Sequence, residues 1–303
     1  MRVRDAFFNE IYNLTKEGKD IVIVSSDLGA PSLDLFRKEF PHRFVNVGIA
    51  EQNAVAVAAG LQLAGKQVIY YGLNPFPVTR AFDQVRDIME SLQVPITVTA
   101  LNAGTCSADA GYTHMAIENM SIMRTLTHVQ LVNPSDVTMA KKLAWECIEH
   151  PRPRYVQFDK FIEGICYESD EDIDFEKGFI SNQKESDVAV ITYGIMSRRI
   201  SDMNLPVKVI DCFALPVDEQ VFIQEIQDAK KIVTVEDGVL SGGIGSMVLE
   251  ILNDNGISIP VIRKGLRFSS GMPKAYVNRD QIFGSENLTD SDLRGIILDL
   301  LRG

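Results

Sequence analysis

Short apolar runs rich in β-branched residues recur along this chain, with segments of helical spacing between them. The runs are Ile21–Val24, Gln67–Tyr71, Val94–Ala100 and Val129–Val132, then Val188–Tyr193, Val207–Ile210 and Ile232–Val235. The intervening segments place apolar residues at helical intervals, as in Phe82, Val85, Ile88, Met89 and Leu92, or Val137, Ala140, Leu143, Ala144 and Cys147. Continuous apolar strands alternating with amphipathic helices bury both faces of a sheet. This pattern predicts an α/β fold with mostly parallel sheets and helices on either side.

With 303 residues, the chain has room for two such domains. Between Glu168 and Glu176 the sequence becomes ESDEDIDFE, six acidic residues in nine, and a polar stretch follows over Ser181–Ser186. The expected organisation is therefore a domain over 1–168, an acidic and polar linker over 169–186, and a second α/β domain over 187–303.

Composition narrows the function. Thirty Lys and Arg against 41 Asp and Glu give a net charge of −11, which opposes a nucleic acid partner. No apolar run approaches the length of a membrane span, and the charged start MRVRDAFFNE does not fit a secretory signal, so the expectation is a cytoplasmic protein without membrane contact. Cys106, Cys147, Cys166 and Cys212 form no Cys-x-x-Cys pair, which argues against zinc or a disulfide framework; Cys106, in a polar loop, is the one expected to differ from packed thiols.

The chemistry concentrates in three ordered segments. Phe44–Gly60 reads FVNVGIAEQNAVAVAAG, a single carboxylate, Glu51, at the head of an Ala-rich helix whose small side chains permit close packing on all sides. Desolvation there would favour a neutral carboxyl able to donate a hydrogen bond, whereas a residue merely in the first helical turn would suit the macrodipole. Leu73–Val85 reads LNPFPVTRAFDQV, and Gly111–Glu118 reads GYTHMAIE. Together these resemble the N-V-G-I-A-E-Q-N, F-x-x-F…R-A-x-D-Q and D-G-x-T-H-x-x-x-E motifs of the transketolase family.

The resemblance implies a thiamine diphosphate site. Glu51 is at the position that contacts the aminopyrimidine, and Phe76 is at the position whose ring stacks on it. Asp27 resembles a cofactor-side acidic residue. Leu73 and Thr79 stand where the family usually carries further aromatics, which implies a differently shaped pocket. His114 matches the substrate-contacting histidine, while His42, His128 and His150 have no motif around them. Arg4, Ser32 and Lys160 resemble places that hold a substrate phosphate. Two positions depart from the family: Asn102 replaces a second histidine and Ala110 replaces an aspartate, both of which normally read ketose hydroxyls.

The glycine cluster Ser241–Ser246, after Val235-Glu236-Asp237-Gly238, could cradle phosphate, but it matches a dinucleotide fingerprint poorly and resembles a structural turn of the transketolase C-terminal domain. The family's magnesium motif, G-D-G followed by N, does not occur; the one Asp-Gly is Asp237-Gly238. The chain therefore resembles a pyrimidine-binding domain followed by a C-terminal domain, with the diphosphate and Mg2+ held by an α-type partner subunit. On that resemblance it is the β-type subunit of a split transketolase, an α2β2 assembly that self-associates through the pyrimidine domain and transfers a ketol unit from a sugar phosphate. The alternatives are a 2-oxo-acid decarboxylating or 1-deoxyxylulose-phosphate synthase-like subunit, and a non-catalytic regulatory subunit of the same fold.

Overall fold

A computed structural model describes residues 1–269, 271–273 and 276–302. The chain divides into two compact units, Met1–Ala103 with Thr125–Asp170, and Gly104–Arg124 with Glu171–Gly303.

In the first unit the strands β1 (Ile21–Ser25), β2 (Phe44–Asn46), β3 (Gln67–Leu73), β4 (Thr97–Leu101), β5 (Gln130–Val132) and β6 (Arg154–Phe158) lie in the order β5-β6-β4-β3-β1-β2, each neighbour pair parallel. β1 is buried along its whole length, as an unbroken Ile-Val-Ile-Val run requires. The helices are α1 (Val3–Lys16), α2 (Asp34–Glu39), α3 (Glu51–Leu63), the single turns α4 (Phe76–Thr79) and α5 (Phe82–Val85), and, further along, α7 (Val137–Glu149). α7 starts where Asp136 accepts the Met139 N–H at 2.8 Å as an N-cap. α1 packs on α7 and seats Phe7 and Phe8 against Phe158 and Tyr71, with ring centroids 5.2 Å apart for Phe7–Phe158 and 4.8 Å for Phe8–Tyr71.

The expected strands are present with small boundary differences, and the helical segment from Phe82 is not one α-helix. α5 ends at Val85 and the chain continues as a π-helical turn over Arg86–Ser91. β6 escapes apolar periodicity because it contains Arg154, 1% exposed in the sheet. Its guanidinium is spent internally, donating to Gln130 Oε1 at 2.8 Å and to the His150 carbonyl at 2.8 Å near the end of α7. Close packing of α3 on all sides also differs from expectation: its inner face meets β1 and β3, while Gln52, Asn53, Ala56, Gly60 and Leu63 are exposed.

The second unit carries α6 (Asn119–Met123) and the strands β7 (Ile180–Ser181), β8 (Val188–Thr192), β9 (Lys208–Asp211), β10 (Ala214–Leu215), β11 (Lys231–Val239) and β12 (Val261–Leu266). Its sheet runs β12-β11-β8-β9-β7, parallel except for the β7–β9 edge. α8 (Gly194–Asp202), α9 (Glu219–Ile226), α10 (Ile244–Asp254), α11 (Arg279–Ser285) and α12 (Asp290–Arg302) complete it. Ala108, Met115 and Ile117 join the core of this unit with Val188, Val190, Val233 and Phe283. Within the acidic stretch Ile173 and Phe175 are buried, and Phe175 meets Phe213 edge-on at 5.5 Å.

No helix among the described residues is long and apolar enough to cross a membrane. Cys106 is buried rather than set apart, because its loop packs into the second unit, and the exposed thiol is Cys166.

Candidate functional site

Glu51 opens α3 without a side-chain N-cap, and the preceding loop explains why the helix starts there. Asn46, the last residue of β2, accepts the N–H of Gly48 at 2.9 Å and of Asp27 at 3.1 Å through its Oδ1. Gly48 takes φ +76°, a left-handed conformation that suits glycine and turns the chain into the helix. This delivers Glu51 beneath the surface, 3% exposed.

A carboxylate so placed needs a counter-charge, and Arg80 supplies it: Nη1 donates to Glu51 Oε2 at 2.7 Å. The expectation of a lone desolvated carboxyl is corrected here, since the side chain that meets it lies 29 positions downstream. Oε1 of Glu51 takes no hydrogen bond among the described residues. The Arg80 guanidinium also lies over the Phe76 ring, 4.3 Å from its centroid, so one cation links carboxylate and aromatic. Arg80 belongs to the R-A-F-D-Q segment, but the motif by itself assigns it no role.

Around this trio, Leu73 and Phe76 are half-buried, whereas Thr79 is exposed and its hydroxyl donates to the Pro75 carbonyl at 3.2 Å. Tyr70, on β3, shares a buried hydrogen bond with Ser26 at 3.0 Å. Burial pushes the Tyr70 phenol well up from its ordinary range, and the Glu51 charge adds to the rise while the Ser26 hydrogen bond and Arg80 oppose it. Asp27 is exposed, with φ 58°, and is tied to Asn46, whose Nδ2 approaches its Oδ1 at 3.4 Å.

The three phosphate-holding candidates differ in their surroundings. Arg4 pairs with the adjacent Asp5, its Nη2 2.7 Å from Asp5 Oδ1. Ser32, on the 3-10 turn Pro31–Leu33, has a buried hydroxyl with no hydrogen-bond partner among the described residues. Lys160 follows β6 and lies over the Phe161 ring at 5.1 Å. Asn102 is 7% exposed, takes φ 74°, and donates its backbone N–H to the Phe158 carbonyl at 2.9 Å.

His114 belongs to the second unit, in the 3-10 turn Tyr112–His114, with Nδ1 3.0 Å from the Thr113 hydroxyl. Its segment is anchored by Thr105, whose hydroxyl donates to Asp237 Oδ1 at 2.8 Å. Arg279 completes a buried network, 3.3 Å from Asp237 Oδ2 and donating to the Thr105 hydroxyl at 3.3 Å. Tyr112 donates to Glu118 at 2.8 Å. The other histidines have structural surroundings: His128 meets Glu90 at 2.9 Å and His150 packs on Trp145, while His42 is exposed.

The glycine turn before α10 is filled by the protein itself. Glu236 accepts the N–H groups of Ile244 and Gly245 at 3.0 and 3.1 Å, and a Cβ at Gly243 would overlap Glu236 Oε2. A phosphate has no room to take those donors. Among the described residues no group of three or more His, Cys, Asp or Glu side chains could hold a metal.

Comparison with known proteins agrees with this anatomy. The chain matches the family model "Transketolase, pyrimidine binding domain" over residues 1–161 and "Transketolase, C-terminal domain" over residues 178–284. It is 29% identical over 269 residues to one subunit of an apulose-4-phosphate transketolase of Phocaeicola vulgatus, covering 86% of each chain. It is 29% identical to a putative transketolase C-terminal section of Methanocaldococcus jannaschii, covering 87% of this chain and 86% of that one. A 1-deoxy-D-xylulose-5-phosphate synthase of Halothermothrix orenii is 31% identical over 83% of this chain, which spans 41% of that enzyme. A solved structure described as a split gene transketolase, inactive beta4 tetramer, superposes with TM-score 0.83 at 26% identity, covering 100% of this chain and 99% of that one.

The residues present suit an aminopyrimidine. Among the described residues, Glu51 offers a carboxylate oxygen without a partner, and Arg80 connects that carboxylate to a half-buried aromatic ring of the same unit.

Proposed function

Since this chain belongs to the transketolase family, we propose that it is the β-type subunit of a split, thiamine diphosphate-dependent transketolase that moves a ketol unit from a phosphorylated ketose to an aldose. The observation that carries this reading is the oxygen of buried Glu51 that takes no hydrogen bond among the described residues, on a carboxylate that Arg80 links to the Phe76 ring. When bound, the cofactor supplies the carbanion chemistry that no protein side chain can. The chain contributes position and proton control. Glu51 shares a proton with the pyrimidine ring nitrogen, Phe76 stacks on that ring, and Leu73, Thr79 and Asp27 border it. His114 donates to or accepts from the sugar, and Asn102, Ser32 and Lys160 hold its polar groups. Arg4, paired with Asp5 through Nε and Nη2, brings its cation to the phosphate. Two relatives carry apulose 4-phosphate in their names, which supports a phosphorylated donor without fixing its carbon skeleton here.

The diphosphate and its Mg2+ are assigned to an α-type partner, because the G-D-G…N motif is absent from this sequence. Two relatives whose lengths match this chain are named as one subunit and as the C-terminal section of a transketolase, and the structural neighbour is described as a beta4 tetramer. Both support a chain that works in a larger assembly and associates with copies of itself, which we assign to the pyrimidine-binding domain. We retain a domain over 1–168, a linker over 169–186 and a second domain over 187–303; the matched family models cover 1–161 and 178–284. Four free cysteines suit a reducing, cytoplasmic setting.

Reconstitution tests the reading. This chain mixed with a partner carrying the G-D-G…N motif should bind thiamine diphosphate with Mg2+ and convert a ketose phosphate and an aldose without gas release. Carbon dioxide released from pyruvate would instead establish the synthase-like or decarboxylating alternative. Cofactor binding with no turnover of any ketose or 2-oxo acid would make it a regulatory subunit.

A further inference from the structure

We propose that Arg80 is a positioning residue of the pyrimidine site: it holds Glu51 as a carboxylate, fixes Oε2 so that Oε1 alone faces the ligand, and ties that carboxylate to the stacking ring. The inference rests on the function proposed above and assigns a role to a residue outside the expected set. Its basis is geometric. One planar cation reaches Glu51 at 2.7 Å and lies 4.3 Å from the Phe76 centroid, so the orientations of the two groups are set together. Glu51 is 3% exposed while the Arg80 side chain is 45% exposed, so the charge on the carboxylate is sustained by this partner and not by water.

Among the described residues no other group on the elements packed against Glu51 can take the place of Arg80. From β3 come Tyr70 and Tyr71: Tyr70 is bonded to Ser26 and is neutral, and Tyr71 interacts with Arg4. α5 brings Asp83, and the turn after it brings Arg86, Asp87 and Glu90. Arg86 pairs with Asp83 and Asp87, and Glu90 meets His128. β1 carries no titratable side chain at all. Removing the Arg80 charge therefore leaves a buried carboxylate without a counter-ion, and such a group escapes by taking up a proton. A protonated Glu51 surrenders its shared proton to the ring less readily, so Arg80 biases that proton toward the pyrimidine nitrogen.

The first test needs no cofactor. Unfolding midpoints of the chain are measured from pH 5 to 9 for wild type, Arg80→Met, Arg80→Lys and Arg80→Met with Glu51→Gln. The sign follows from linkage: in Arg80→Met the folded state retains a proton on Glu51 that the unfolded chain has lost above about pH 4.3, so stability relative to wild type falls as pH rises. Arg80→Lys should recover part of this loss, and Glu51→Gln should abolish the pH dependence introduced by Arg80→Met. A wild-type pH profile in Arg80→Met overturns the inference. Should Arg80→Met fail to fold, Arg80→Gln at the surface-exposed end of the pair carries the same comparison, with the same overturning result.

The second test titrates thiamine diphosphate with Mg2+ into the complex with the partner subunit. The pH below which binding weakens should move up by about 1–3 units in Arg80→Met, the span that loss of an adjacent opposite charge produces. An unmoved midpoint also overturns the inference. A wild-type complex that binds no cofactor at any pH defeats the proposed function instead, and leaves the unloaded-chain result to stand alone.

Discussion

Glu236 reaches back from β11 and accepts the backbone N–H of Gly245 at 3.1 Å, so a carboxylate of the chain itself occupies the N-terminus of α10. Burial pushes its carboxyl up to about 7, against the pull of the Gly245 and Ile244 N–H groups and of Arg263 and Arg124. Here a glycine-rich turn serves packing: the glycines leave space for Glu236 rather than for a ligand.

The pH consequence is definite in sign. With a folded-state value near 7 against an ordinary 4.5, the folded chain binds more protons than the unfolded one between those values. Stability should therefore be greatest below about pH 4.5 as far as this group is concerned, and decline as pH rises toward 7, by on the order of 3 kcal/mol at most. Chemical unfolding at a series of pH values, compared with Glu236→Gln, measures it. The substitution should flatten that part of the profile; an identical slope in both proteins contradicts the assignment.

Glu51→Gln keeps the shape of the side chain and removes its exchangeable charge. In the reconstituted complex it should leave assembly intact and slow deprotonation of the cofactor by about 10²–10⁴-fold, the usual worth of a positioned proton transfer. Hydrogen–deuterium exchange at the thiazolium carbon reports this step directly. An unchanged exchange rate would reduce Glu51 to a first-turn residue of α3.

These two glutamates also show what local sequence can and cannot disclose. The position of Glu51 at the head of an Ala-rich helix, and the parallel α/β architecture, are legible because helix onset and buried strands leave local periodic marks. The partner of Glu51 is not, because Arg80 arrives from a different turn and long-range pairing leaves no spacing signal. β6 is hidden by Arg154, whose charge is satisfied by Gln130 and carbonyls remote in sequence. Asn46 gives no hint that it orders Asp27 and Gly48. Cys106 reads as a thiol in a polar loop, yet it is buried, and Ala108, Met115 and Ile117 from the same stretch of chain join a core.

Thr105 and Asp237 should prove to be the fastening of the loop that carries His114. Thr105→Val removes the hydroxyl that donates to Asp237 and accepts from Arg279, a loss of about 1–3 kcal/mol for charge-assisted hydrogen bonds taken from a buried network. Asp237→Ala breaks the buried ion pair with Arg279, itself 9% exposed, and should cost about 3–5 kcal/mol. Urea unfolding of the chain ranks them. Equal and negligible effects would show that the network is ornamental to stability.

Asn102 and Ala110 stand where the family usually presents a histidine and an aspartate to the ketose, and the local backbone accepts both of those residues. Asn102 holds φ 74°, a left-handed conformation that Asn and His both tolerate better than most side chains, so Asn102→His is compatible with it. Its N–H to Phe158 is a main-chain bond and survives the change. Ala110 ends a 3-10 turn on an exposed face, where an aspartate meets no steric barrier. The wild-type complex should use xylulose 5-phosphate poorly beside a ketose altered near its third or fourth carbon. Asn102→His with Ala110→Asp should shift the ratio of kcat/KM toward xylulose 5-phosphate by about 5- to 150-fold, the equivalent of one restored polar partner at about 1–3 kcal/mol. If the wild type already handles xylulose 5-phosphate with full efficiency and the double substitution only lowers it, the two departures do not set specificity.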